Sequence, residues 1–183
     1  FRHKLGTSVK EDVLIFEEKT EAFTVSIGLS SDEKYYFIST SDHNTSEQYY
    51  FSVDDEKPKP KLIRKREKGI IYSVNSWNDC FYMHSNKDAE DFKIEKTKDI
   101  NFKKWDIYVP AKEETLIGGL TFLKNWEIRS EVTNALGKIF VKNLKDNNEE
   151  ELIFSDEEVY DGGVSLVQKD KDTDLIHISY STP

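Results

Sequence analysis

Phe23-Thr24-Val25-Ser26-Ile27-Gly28-Leu29, a turn at Ser30 to Lys34, Tyr35-Tyr36-Phe37-Ile38-Ser39-Thr40, a polar loop, Gln48-Tyr49-Tyr50-Phe51-Ser52-Val53, and Lys61-Leu62-Ile63-Arg64 form the stretch that decides the fold. Its apolar runs are short, rich in aromatic and β-branched residues, and bounded by Asp, Asn, Ser, Gly or Lys, as strands are. The pattern then recurs. A second copy runs Ile70 to Val74, turns at Asn78-Asp79, and continues Cys80 to Ser85, Phe92 to Lys96 and Trp105 to Pro110. A third runs Leu116 to Phe122, turns at Lys124-Asn125, and continues Trp126 to Ser130, Lys138 to Val141 and Glu151 to Phe154.

A period of about 45 residues holding four strands predicts β-propeller blades. A sandwich or open barrel spaces its strands similarly, but rarely repeats one strand-turn order three times. The expected fold is therefore all-β, a β-propeller segment of four-stranded antiparallel blades. It forms one partial domain over 1–183, with full blades at 22–66, 67–112 and 113–157. Residues 1–18 supply strands c and d of a preceding blade, and 158–183 supply strands a and b of a following one. The first strand of each unit carries small residues: Ser26 and Gly28, Ser73, Gly118 and Gly119, then Gly162 and Gly163. Crowding about a propeller axis accounts for them, with β-bulges as the alternative. The half blades at each end predict an excerpt with raw edges, and such edges favour pairing within the chain or between copies.

The composition is that of a folded, polar domain: 33% charged, 37% hydrophobic and 13% aromatic. Disordered chains lack such aromatic content. A net charge of -9 disfavours nucleic acid and anionic membrane surfaces. The single cysteine, Cys80, excludes an internal disulfide, and no apolar run nears the ~20 residues of a membrane span. The opening residues show no signal-peptide pattern, so a cytoplasmic location is expected.

No catalytic residue, metal site or cofactor motif emerges, and the substrate-binding residues are unknown at this stage. The nearest nucleophile is Ser165 in Gly163-Val164-Ser165-Leu166, which lacks the second glycine of a G-x-S-x-G elbow. Cys80 and His84 lie four residues apart on one strand, ~13 Å between Cα atoms, too far for proton transfer. Cys80 is expected to act as a small buried hydrophobe. His3, His43, His84 and His177 fall in different units without ligand spacing. The acidic groups Asp54-Asp55-Glu56 and Glu149-Glu150-Glu151 are expected in solvated loops, and Lys57 to Lys68 as a loop plus a charged edge strand.

Several stretches resemble the propeller of the prolyl oligopeptidase family, and within it the oligopeptidase B (protease II) branch. These are Arg2-His3-Lys4-Leu5-Gly6-Thr7, Glu11 to Glu18, Thr45-Ser46-Glu47, Lys65 to Val74, Phe81 to Asn86 and Ile178 to Pro183. Where that family has Glu-Glu-Arg, this chain has Ser130-Glu131-Val132, which puts any charge network there in doubt. The resemblance implies a serine peptidase that cleaves short peptides after Lys or Arg. Its propeller caps an α/β-hydrolase catalytic domain of the same polypeptide, and that domain holds the Ser-Asp-His triad. This chain alone would be inactive, serving as lid and substrate filter. The alternative is a free-standing propeller that binds peptides or proteins as a scaffold.

Overall fold

The computed structural model describes residues 1–153, 161–166 and 171–181. Three four-stranded antiparallel sheets follow one another along the chain. The first holds β1 (Thr24–Leu29), β2 (Tyr35–Ser41), β3 (Ser46–Ser52) and β4 (Lys61–Arg64) in that spatial order. The second holds β5 (Tyr72–Trp77), β6 (Cys80–Ser85), β7 (Lys93–Thr97) and β8 (Asp106–Val109). The third holds β9 (Thr115–Leu123), β10 (Trp126–Thr133), β11 (Leu136–Asn143) and β12 (Glu149–Glu151). A two-stranded sheet, β13 (Asp161–Leu166) and β14 (Ile176–Ser181), comes last.

Local chemistry explains the meander. Two-residue hairpins at Asn78-Asp79 (φ 50° and 59°) and Asn134-Ala135 (φ 52° and 63°) are left-handed at both positions. Such turns match the right-handed twist of the strands they join. Asn and Asp tolerate that conformation; Ala135 is held there by the ladder on either side, which pairs Thr133 with Leu136.

The core distinguishes a propeller from a sandwich. Phe37, Tyr50 and Ile63 of the first sheet pack with Tyr72, Val74, Phe81 and Met83 of the second. Ile94 and Val109 of the second pack with Ile117 of the third. Ile128 and Ile139 of the third meet Ile176 and Ile178 of β14. The second and third sheets thus each bury both faces against sequence neighbours, which a two-layer sandwich cannot do. The sheets are successive propeller blades, and they do not close into a ring within the described residues.

Three local expectations change. Residues 1–18 hold one antiparallel bridge, Arg2 to Val13, and a 3₁₀ turn, Val9–Glu11, capped by Ser8, instead of two extended strands. Glu149–Glu151 is not a loop but the outer strand itself, pairing with Phe140, Val141 and Lys142. The axis-crowding account of the small residues also fails where it can be checked. A Cβ at Gly28 or Gly119 would meet nothing within 4 Å, whereas one at Gly118 would lie 2.6 Å from the carbonyl oxygen of Ser130. Ser130 sits at a bulge, where the β9–β10 register shifts between Arg129 and Glu131. The bulge therefore accounts for Gly118. Strand assignments made for Phe154 and Val167 fall outside the described residues.

Candidate functional site

Motif residues make contacts on both faces of the first sheet, one set with the segment before it and one with the second sheet. Arg66, in the loop after β4, reaches Glu18 Oε2 at 2.5 Å and Glu47 Oε1 at 3.0 Å, and its guanidinium lies 4.2 Å from the Phe23 ring centre. Its backbone N–H donates to Glu47 Oε2 at 2.8 Å. Tyr49 donates its hydroxyl to the other Glu47 oxygen at 2.7 Å. Both glutamates are nearly buried, so the pairing is charge-assisted and shielded from water. This clamp holds the segment before β1 against the first sheet.

Beside it, Ser46 Oγ accepts the Tyr72 N–H at 2.7 Å and donates to the Tyr72 carbonyl at 2.8 Å. Gln48 accepts the Val74 N–H at 2.6 Å, and its own N–H donates to the Tyr72 hydroxyl. That hydroxyl in turn donates to the Arg64 carbonyl. Burial pushes the Tyr72 phenol up to about 12, so it stays a donor at neutral pH. Asp32 accepts from Ser76 Oγ at 2.7 Å. Side chains of the first sheet therefore satisfy backbone groups on the innermost strand of the second, which would be orphaned on burial. Asn86 does the same for the connecting loop, accepting from Ile71 N and donating to Gly69 O. In this chain the motif residues Ser46 and Tyr72 join the first two blades.

The seam between the second and third sheets is built differently. His84 Nε2 donates to the Ile117 carbonyl at 2.7 Å, and the Ile117 N–H donates to the Asp91 carbonyl at 2.9 Å. The His84 ring stacks on Phe92, 4.4 Å between centroids, and burial pushes its pKa down. Farther out, Tyr108 donates to Glu127 Oε2 at 2.7 Å, and Lys142 Nζ donates to the Tyr108 hydroxyl at 2.8 Å. Arg129 donates through Nε to Glu131 and through both terminal nitrogens to Glu149, at 2.8–3.0 Å. Lys112 reaches both oxygens of Glu131 at 2.7 Å. The Ser130-Glu131-Val132 departure thus leaves a charge network in place, with Arg129 supplying the cation and Glu131 the inner carboxylate.

Glu127 is 1% exposed, and its Oε1 has no hydrogen-bond partner among the described residues. Burial pushes its carboxyl up, against the pull of Tyr108, Lys142 and Arg129. The sign follows: a carboxyl whose folded pKa is raised favours the fold while protonated, and that advantage is lost as pH rises through the folded value. Glu127→Gln is therefore expected to unfold at higher urea than the parent at pH 8. The two curves should converge towards the ordinary Glu range, about pH 4.3. A parent chain more stable than the variant at pH 8 would contradict this account.

The residues considered for catalysis do not come together. Cys80 is buried, burial pushes its thiol up, and its Sγ lies 3.9 Å from the Phe81 carbonyl. Ser165 lies within β13, paired with His177 of β14, in a ladder and not on a strand-to-helix turn. His3 lies beside Asp12 at 2.7 Å on the surface, and His43 belongs to the loop before β3. Among the described residues no three His, Cys, Asp or Glu side chains converge as metal ligands. Sequence reasoning missed Glu127, Tyr108 and Lys142; only the mid-strand position of a lone Glu among apolar residues could have singled one out.

Comparison with known proteins agrees with the blades. The model of the prolyl oligopeptidase N-terminal β-propeller domain matches residues 1–182. Protease 2 of Moraxella lacunata is 36% identical over 94 residues, 51% of this chain and 14% of that protein. Dipeptidyl aminopeptidase BI of Pseudoxanthomonas mexicana is 26% identical over 183 residues, 98% of this chain and 25% of that protein. Among solved structures, oligopeptidase B from Trypanosoma brucei, closed with covalently bound antipain, superposes with a TM-score of 0.85. It is 25% identical over 98% of this chain and 27% of that one. The chain thus spans about a quarter or less of the relatives it matches. Four-stranded blades in sequence order, motif residues serving as blade joints, and a family match along almost the whole length lead to one assignment: the chain belongs to the prolyl oligopeptidase N-terminal β-propeller family.

Proposed function

We propose that this chain is the propeller portion of a serine oligopeptidase that cleaves short peptides after Lys or Arg, serving there as lid and substrate filter. In this reading its blades divide at 22–66, 67–112 and 113–157, with part blades at either end. The α/β-hydrolase domain of the same polypeptide carries the catalytic triad, and the protein works in the cytoplasm. The observation that carries the reading is the open apolar face of the first sheet. Val25 and Ile27 on β1 are 50% and 60% exposed, and with Phe1, Ile15, Phe16 and Tyr36 they line a cleft of about 320 Å³. The two middle sheets bury both faces, while the first leaves the β1 end of one face open beside the covering segment, as a sheet beside a neighbouring blade would. The net charge of -9 supports attraction of cationic peptides. Among the described residues no helix is long and apolar enough to cross a membrane.

The test is to express the chain together with the coding sequence that adjoins it and to assay chromogenic peptides. Cleavage after Lys or Arg in short peptides is expected, with folded proteins spared, while the 183-residue chain alone hydrolyses nothing. Preference for another residue would overturn the specificity. Hydrolysis by the chain alone would overturn the division of labour.

A further inference from the structure

On the outer rim, the seam between the second and third sheets opens into a cleft of about 350 Å³, lined in part by Tyr108, Lys112, Arg129, Lys142, Asn147 and Glu149. The chain is strongly acidic, yet three cations face this cleft against one carboxylate, Glu149. Glu131, 3% exposed beneath them, binds Lys112 and Arg129, and Glu149 takes the remaining Arg129 nitrogens. Three cations thus meet two paired carboxylates, and Lys142 is left over. Its ammonium contacts the Tyr108 hydroxyl and lies 4.7 Å from the Tyr108 ring centre, with no carboxylate within 4.0 Å among the described residues. Glu127 and Glu149 act on it at longer range, and burial disfavours the charged form of Glu127. Lys96, on β7, lies 4.4 Å from the same Tyr108 ring centre, adding a second cation near this end.

We propose that this rim cleft is a binding site for a small multivalent anion, a phosphate or a di- or tricarboxylate, held by Lys142 with Lys112 beside it. An anion there meets charged donors from β11 and from the connection before β9, and charge-assisted hydrogen bonds are the strong ones. It also lies against Tyr108 of the second sheet, so it bridges the seam and stabilises the packed pair in proportion to its occupancy. The site stands independently of the peptidase reading, since it uses no catalytic domain.

The experiment titrates the full chain with sodium phosphate and, separately, sodium citrate at millimolar concentrations, with sodium chloride at matched ionic strength. Backbone amide shifts and the thermal midpoint are followed. Saturable shifts at Tyr108, Lys112 and Lys142 are expected with phosphate or citrate and not with chloride, and the arm that saturates first names the anion class. Lys142→Met keeps the aliphatic stem and should weaken binding at least tenfold; Lys142→Gln serves if that variant does not fold. Shifts that grow linearly, appear equally with chloride, or persist unchanged in both variants would overturn the site.

Discussion

Gly118→Ala is expected to destabilise the chain by about 2–3 kcal/mol, the upper part of the ~1–3 kcal/mol that forcing extra atoms into a filled position costs, while the same change one residue later does the opposite. The two glycines are neighbours on one strand and share composition, propensity and sheet. They differ in what faces them. A Cβ at Gly118 would stand 2.3 Å from Ser130 Oγ and 2.6 Å from the Ser130 carbonyl oxygen. A side chain can rotate away, but the carbonyl belongs to the bulge that offsets the β9–β10 register. Shifting it strains the ladder on both sides. Gly118→Ala combined with Ser130→Gly should therefore recover only a small part of the loss. At Gly119 an added methyl meets open space. Gly119→Ala should gain about 0.5–1 kcal/mol by restricting the unfolded chain. Urea denaturation of the three variants checks this, and equal effects at 118 and 119 would remove the bulge as the cause.

The second large effect is expected at Arg129. Its side chain is 5% exposed and satisfies Glu131, which is 2% exposed, together with Glu149. The guanidinium also lies 4.9 Å from the Phe140 ring centre. Removing it leaves Glu131 buried with Lys112 as its remaining partner, and breaking a buried pair from one side costs about 3–5 kcal/mol. Arg129→Met, which keeps most of the volume, is expected to lose stability in that range. Glu149→Gln should lose under about 1 kcal/mol, since a third of that side chain is in water and exposed pairs contribute little. Replacing Arg129 and Glu131 together by apolar residues should recover much of the loss, because no charge is then stranded. Equal losses for the Arg129 and Glu149 variants would show that the outer pair, not the buried one, holds the third sheet together.

These residues mark the limit of what local reading reaches. Strand positions were legible because alternation and turn chemistry act over a few residues: β6 spans Cys80–Ser85, and Asn78-Asp79 turns as a left-handed pair. The charged edge strand Lys61–Arg64 was legible for the same reason. Glu149–Glu151 was not. Three consecutive carboxylates look like solvated loop, yet Arg129 and the ladder to β11 hold them extended. Glu18, Glu47 and Arg66 stood out singly through the family resemblance, but their meeting depends on the first sheet bringing residues 48 positions apart in sequence into contact. Gly118 and Gly119 looked equivalent until the register of β10 separated them.

From the sequence alone came the class of fold, its period, its strand order within each blade and its family likeness, because each rests on short-range periodicity repeated along the chain. Tertiary structure alone decided which glycine is indispensable, which carboxylate is buried with one oxygen unpaired among the described residues and where positive charge gathers in an acidic chain. Those properties depend on the offset between strands and the spacing between sheets, and neither quantity is written in any local run of residues.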